Sequence, residues 1–174
     1  MGTLIHNLLT LSGSDNHSLS PDKKPVELDT LLLNSYEAFE PLAAKKSITL
    51  SICLPKEALP LCMLDADQIS QVLSILLHNA VSYTPEGGKI ALSLSFQKEH
   101  FLLSVADNGI GISDEEKGKI FDRFYRAEKA RSTKGHFGLG LSIAYEIVKA
   151  HHGTLSAADA PGGGSVFTLK LPEK

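Results

Sequence analysis

"FLLSVADNGIGISDEEKGKIFDRF", residues 101–124, is the stretch on which the fold turns. Up to Asp107, the apolar residues Phe101, Leu103 and Val105 alternate with others, the period of a half-buried strand. The residues after Asp107 admit two readings. Asn108-Gly109 is a strong two-residue hairpin signal, which would send the chain back along a partner strand. No second strand pattern comes next: Ser113 and Glu116 have the spacing of a capping box, and Ile120, Phe121 and Phe124 recur at helical spacing. The strand therefore opens into a glycine-containing loop, where Gly109 and Gly111 permit close backbone approach by a flat ligand as well as positive φ. Asp107, at the strand end, can accept from a ligand donor such as an exocyclic amine. By itself the stretch suits a nucleotide loop and a plain turn equally.

Outward from it, residues 89–96 place Ile90, Leu92, Leu94 and Phe96 on one face and complete an antiparallel hairpin with the 101–105 strand. Upstream, the capping-box spacing of Asp65 and Gln68 starts a helix that runs to Tyr83 and ends at Thr84-Pro85. A first helix is predicted over Leu28 to Lys46, followed by the strand "SITLSICL" and a Pro-bounded loop. Downstream, residues 108–137 are irregular with one short helix. A long helix then runs from about Leu139 to His152, before Gly153, a good C′ residue. Strands "TLSAADA" and "SVFTLKLP" close the chain around Gly162-Gly163-Gly164. His151 and His152 read as cations suited to a helix C-terminus. This order predicts an α+β, two-layer sandwich: a mixed, mostly antiparallel sheet with helices packed on one face.

The 174 residues, 43% hydrophobic and 21% charged, suffice for one core. A net charge of -3, from 17 Lys and Arg against 20 Asp and Glu, lacks the basic excess of a nucleic-acid surface. Cys53 and Cys62 have no CxxC spacing and read as buried thiols of a reducing compartment. No apolar run approaches the roughly 18 residues of a membrane span, and no signal peptide is evident. Met1-Gly2 opens like a myristoylation site, but His6 stands where Ser or Thr is wanted. The chain reads as cytoplasmic. Residues 1–13, with Met1, Leu4, Leu8 and Leu11 three and four apart, predict a helix with an unsatisfied apolar seam. Residues 14–25 read as a polar linker, and 26–174 as the domain proper.

A second glycine cluster, Gly135, Gly138 and Gly140, precedes the amphipathic helix. Unpaired N–H groups at a helix start can hold phosphate oxygens, although glycine there also serves tight packing. Asn79 shares a helix face with Ile75 and Tyr83. Its oxygen is a suitable hard ligand for Mg²⁺, or its amide is a satisfied structural group. A dinucleotide fingerprint is excluded because Asp114 stands where the third glycine belongs, and a P-loop because no Gly-Lys-Ser/Thr occurs.

Asn79 in its helix, "DNGIGI" at 107–112, "FDRF" at 121–124 and "GLGL" at 138–141 resemble the N, G1, F and G2 boxes of the sensor histidine kinase catalytic and ATP-binding domain. That domain belongs to the gyrase, Hsp90, kinase and MutL ATPase superfamily, with a Bergerat-type fold and a long ATP lid. The resemblance spans about residues 26 to 172, and residues 1–13 resemble the end of the second dimerisation-domain helix. It implies ATP and Mg²⁺ as cofactors. Asp107 would accept the adenine amino group, Gly109 and Gly111 would admit the base and hinge a lid from Asn108 to Phe137, and Ile112 and Leu139 would line the base and sugar pocket. Tyr83 would lie near the nucleotide. Asn79 would hold Mg²⁺ against phosphates cradled by Gly138, Gly140 and Leu141, with Arg126, or as a second candidate Arg131, reaching the terminal phosphate.

The implied chemistry is γ-phosphoryl transfer to a histidine of the dimerisation domain, for relay to a response regulator, in a homodimeric parent that is cytoplasmic here and membrane-anchored elsewhere. None of His6, His17, His78, His100, His136, His151 and His152 has the sequence context of that acceptor. The chain is therefore expected to bind ATP without phosphorylating itself at the usual position. Three departures stand out. Ile75 replaces a first Asn, or the water-activating Glu of hydrolytic relatives, which predicts poor ATP hydrolysis. Ser82 replaces a common Lys, and His136-Phe137 replaces small residues before the second glycine box. A nucleotide-binding regulatory module without kinase activity and a hydrolytic ATPase of the same fold are the alternatives.

Overall fold

A computed structural model describes residues 20–125 and 138–173. Among them the chain order is β1 (Lys24–Val26), α1 (Leu28–Ala44), β2 (Thr49–Cys53), β3 (Cys62–Leu64), α2 (Ala66–Tyr83), β4 (Lys89–Gln97), β5 (His100–Asp107), α3 (Asp114–Lys117), α4 (Gly140–Ala150), β6 (Thr154–Asp159) and β7 (Ser165–Pro172). Strict alternation builds the main sheet, ordered β2-β4-β5-β7-β6. Ile90, Leu92 and Leu94 of β4, Phe101, Leu103 and Val105 of β5, and Phe167, Leu169 and Leu171 of β7 are all buried. The residues between them face away, so one side of each strand is core and the other meets solvent. β4, β5, β7 and β6 pair antiparallel, whereas β2 pairs parallel to β4 with Thr49 opposite Lys89.

α1, α2 and α4 supply the second layer. α2 buries Ile69, Val72, Leu73, Leu76, Leu77, Ala80 and Val81, a stripe at spacings of three and four. α4 buries Ile143, Ala144, Ile147 and Val148 against it. Burying each such Leu or Ile contributes roughly 1.5–3 kcal/mol. The two-layer sandwich expected from the order of elements is the one observed.

Four details differ from expectation. β1 and β3 form a separate two-stranded antiparallel sheet, Pro25 opposite Met63, in stretches read as linker and Pro-bounded loop. Three-residue strands are too short to display a period. Second, Cys53 is exposed while Cys62 is buried. On the half-buried strand β2, Leu50 and Ile52 face inward and Cys53 falls on the opposite phase. Burial pushes the Cys62 thiol up to about 11. Third, α1 ends at Ala44 and α4 at Ala150, each two residues short of the predicted end. The apolar helix expected over residues 1–13 lies outside the described residues.

The fourth concerns His151, which is buried rather than a solvated cation. Its Nδ1 lies 2.8 Å from the Ile147 carbonyl oxygen and its Nε2 3.0 Å from the Asp65 backbone nitrogen. A backbone N–H can only donate and a carbonyl only accept, so Nδ1 carries the proton and Nε2 accepts. The Asp65 carboxylate caps α2 by accepting from Gln68 N at 3.1 Å. The reciprocal half of that capping box is not made, because the Asp65 N–H is given to His151. Burial pushes the His151 pKa below its ordinary value of 6.5, with Lys23 and His152 acting in the same sense and the Ile147 carbonyl and Asp65 carboxylate opposing. A depressed histidine pKa contributes stability that is present above the unfolded value and is lost as pH falls through the folded one. The melting temperature of the wild type is therefore expected to fall from about pH 6.5 downward, and His151→Gln, which keeps an acceptor but cannot titrate, to flatten that limb. Parallel pH profiles for the two proteins would contradict this.

Candidate functional site

β5 carries its alternation one residue past the apolar run, so Asp107 lands on the buried face and is only 6% exposed. Its Oδ1 accepts from Gly109 N at 2.8 Å and Ser165 N at 3.4 Å, and its Oδ2 from Ser165 Oγ at 2.7 Å. An ionised carboxylate offers about four acceptor positions, so about one is unspent. Ser165 opens β7, beside β5, where Ala106 stands opposite Val166. Nothing in the local sequence marks it, because its partner lies 58 residues away.

The loop after Asp107 is held by backbone. Asn108 clasps the start of β4: Lys89 N donates to Asn108 Oδ1 at 2.7 Å, and Asn108 N to Lys89 O at 3.2 Å. A Cβ on Gly109 would stand 2.4 Å from the Tyr83 carbonyl oxygen, and one on Gly164 2.0 Å from the Asp107 carbonyl oxygen. Gly109 and Gly164 are thus needed for contact between backbones, while Gly111 is needed for its φ of +68°. Ile112, beyond it, is half-buried against the core.

Opposite this loop, α2 presents Ile75, Asn79 and Tyr83 on its half-buried flank. Ile75 Cγ2 would meet a Cβ on Gly140 at 3.2 Å, so this flank faces the start of α4. The Asn79 amide makes no side-chain hydrogen bond to another described residue, leaving its oxygen available. The first turn of α4 has no side-chain cap, and Leu139 O accepts from Ile143 N. The N–H groups of the residues between are therefore open to an anion. Gly138, with φ +71°, turns the chain into this helix. Leu141 is half-buried and Leu139 fully buried in the core.

Gly138 O also accepts from Phe124 N at 3.0 Å, which brings the "FDRF" stretch beside the second glycine cluster. Lys117 of α3 pairs with Asp114 and, at 2.8 Å, with Asp159 at the end of β6. Arg126, Arg131, Gly135, His136 and Phe137 lie outside the described residues. The fold thus brings Tyr83 against Gly109 in the Asp107 loop, and Ile75, one turn from Asn79 on the same flank of α2, against Gly140 at the start of α4.

A sequence family described as histidine kinase-, DNA gyrase B- and HSP90-like ATPases matches residues 64–174. The chain belongs to that family. Its relatives include the signal transduction histidine-protein kinase BaeS of Escherichia coli (strain K12), 37% identical over 170 residues, 97% of this chain and 36% of BaeS. The catalytic domain of histidine kinase ThkA superposes with a TM-score of 0.79 at 31% identity, over 87% of this chain and 96% of that one. ThkA has also been solved in complex with the response regulator protein TrrA. Full-length ShkA in complex with AMPPNP gives a TM-score of 0.84 at 26% identity, over 98% of this chain and 35% of ShkA. The chain spans less than half the length of the curated relatives it matches. The fold and the family inferred from the four boxes are borne out, and ATP binding is a property of this ATPase domain.

Proposed function

We propose that this chain is the ATP-binding catalytic domain of a two-component sensor histidine kinase, delivering the γ-phosphoryl group to a histidine of the parent's dimerisation domain. The observation that carries the reading is the buried Asp107 carboxylate with about one acceptor position unspent. That position suits the amino group of adenine. The open amides at the start of α4 suit phosphate oxygens, and Tyr83 and Ile112 keep the roles beside the base and sugar that the resemblance implies. Arg126 and Arg131 keep the phosphate-facing roles that the resemblance implies.

Mg²⁺ fits the residues present. Among the described residues no group of three or more His, Cys, Asp or Glu side chains could hold a metal. Asn79 offers one unspent oxygen, and Mg²⁺ commonly takes one or two protein ligands with phosphates and waters completing its shell. When bound, the ion neutralises charge on the phosphates. Asn79→Ala is therefore expected to abolish the Mg²⁺-dependent part of ATP affinity, about tenfold or more, while leaving affinity in EDTA unchanged by calorimetry. Undiminished Mg²⁺ stimulation would remove Asn79 from this role.

The parent is proposed to be a homodimer that passes its phosphoryl group to a response regulator and is anchored in the cell membrane. Among the described residues no helix is long and apolar enough to cross a membrane. Ile75 disfavours the hydrolytic alternative, since it presents a methyl group to Gly140 where a water-activating carboxylate would be needed. Incubating the parent protein with γ-labelled ATP tests the reading. Acid-labile phosphate on a histidine is expected. Its absence beside intact ATP binding would establish a regulatory module, and steady phosphate release a hydrolytic ATPase.

A further inference from the structure

Lys46, in the corner between α1 and β2, makes a contact that no motif announces. Its Nζ donates to three backbone carbonyls at the end of α2: Val81 O at 2.9 Å, Ser82 O at 3.2 Å and Thr84 O at 2.6 Å. An ammonium has three protons, so each is spent. The last turn of a helix presents carbonyls that its own N–H groups do not reach, and a cation there also complements the helix dipole. The backbone of the same corner is tied back, with Gly87 N donating to Lys46 O at 3.3 Å and Thr49 N to Gly88 O at 2.9 Å.

The carbonyl omitted from this set is that of Tyr83, between Ser82 and Thr84. It is the atom against which Gly109 packs with no room for a Cβ. Gly109 N in turn donates to Asp107 Oδ1 at 2.8 Å. Lys46 thus clamps the turn that forms the back wall of the Asp107 loop and places Tyr83 at its edge. We propose that Lys46 is a positioning residue for the nucleotide site: by closing the last turn of α2 it sets the place of Gly109 and the aim of the Asp107 carboxylate. It does so from the α1 side of the domain, without touching the nucleotide. The inference rests on the ATP-binding reading of the site.

Titrating the 174-residue chain with a fluorescent ATP analogue, well below the melting temperature, tests it. Lys46→Met, which keeps the stem and removes the three donors, is expected to raise Kd about tenfold or more. It is also expected to shift the Gly109 amide resonance in ¹H–¹⁵N spectra. Lys46→Arg, which keeps the positive charge and several N–H donors, is expected to recover most of the affinity and the resonance position. If Lys46→Met does not fold, Lys46→Gln, which keeps one donor group, serves in its place with a smaller rise in Kd. A variant that melts earlier but keeps Kd within twofold of wild type and an unshifted Gly109 would overturn the positioning role and leave Lys46 a stabilising cap. Failure of the wild type to bind would count against the ATP reading instead, and the Gly109 resonance would then decide the Lys46 proposal.

Discussion

Asp107→Asn weakens binding of an ATP analogue by about 100-fold or more while moving the melting temperature by only a few degrees: this is the expected result of equilibrium titration and thermal melting run side by side. The fold tolerates the change because asparagine keeps a carbonyl oxygen for Gly109 N. Its new NH₂ faces the Ser165 hydroxyl, which can turn to accept as readily as it now donates at 2.7 Å. The ligand fares differently. The unspent acceptor position is lost or becomes a donor, and the amino group of adenine would meet it donor to donor in a site almost closed to water. An unpaired buried polar group costs more than a missing bond on the surface, which is why a conservative substitution is expected to have so large an effect. Retained affinity would refute the assignment of Asp107 to adenine. A large loss of stability would instead show that its bonds to Ser165 and Gly109 are chiefly structural.

Gly164→Ala is expected to be among the most damaging single-atom additions in the domain, about 4 kcal/mol or more, a large share of the roughly 5–15 kcal/mol of a typical domain. Its φ is +90°, and the added Cβ would stand 2.0 Å from Asp107 O and 2.7 Å from Asn108 Cα, both backbone atoms of the site loop. Neither can swing aside as a side chain could. Gly162→Ala provides the control: its φ is +89°, but nothing lies within 4 Å of the new atom. That variant should pay only for left-handed backbone, about 1–2 kcal/mol. Denaturation followed by circular dichroism separates the two costs, and equal losses would mean that the β5 loop and the glycine turn do not press on each other as described.

Much of this protein was legible before folding because its signals are local. Ile90, Leu92 and Leu94 announce β4 by alternation, Asp65 marks the start of α2, and Thr84-Pro85 its end, since each acts over a few residues. The glycines of "DNGIGI" and "GLGL" were legible for the same reason, as was Asn79 in an apolar helix. The structure corrected what depended on distant neighbours. His151 has the sequence context of a solvated helix-end cation and becomes a neutral buried bridge because α2 brings the Asp65 N–H to it. Cys53 becomes exposed because the phase of β2 is fixed by Leu50 and Ile52.

The sequence by itself determined the order of elements, the apolar face of each, and the residue types that chemistry on a nucleotide would need. Only the tertiary structure decided which atoms of those residues are spent and which are open. Ser165 and Gly164 meet Asp107 across a strand pairing, and Lys46 meets the end of α2 across 35 to 38 residues of chain. Partners so far apart in sequence leave no local period to read; they are brought into contact by the packing of the whole sheet and its helices.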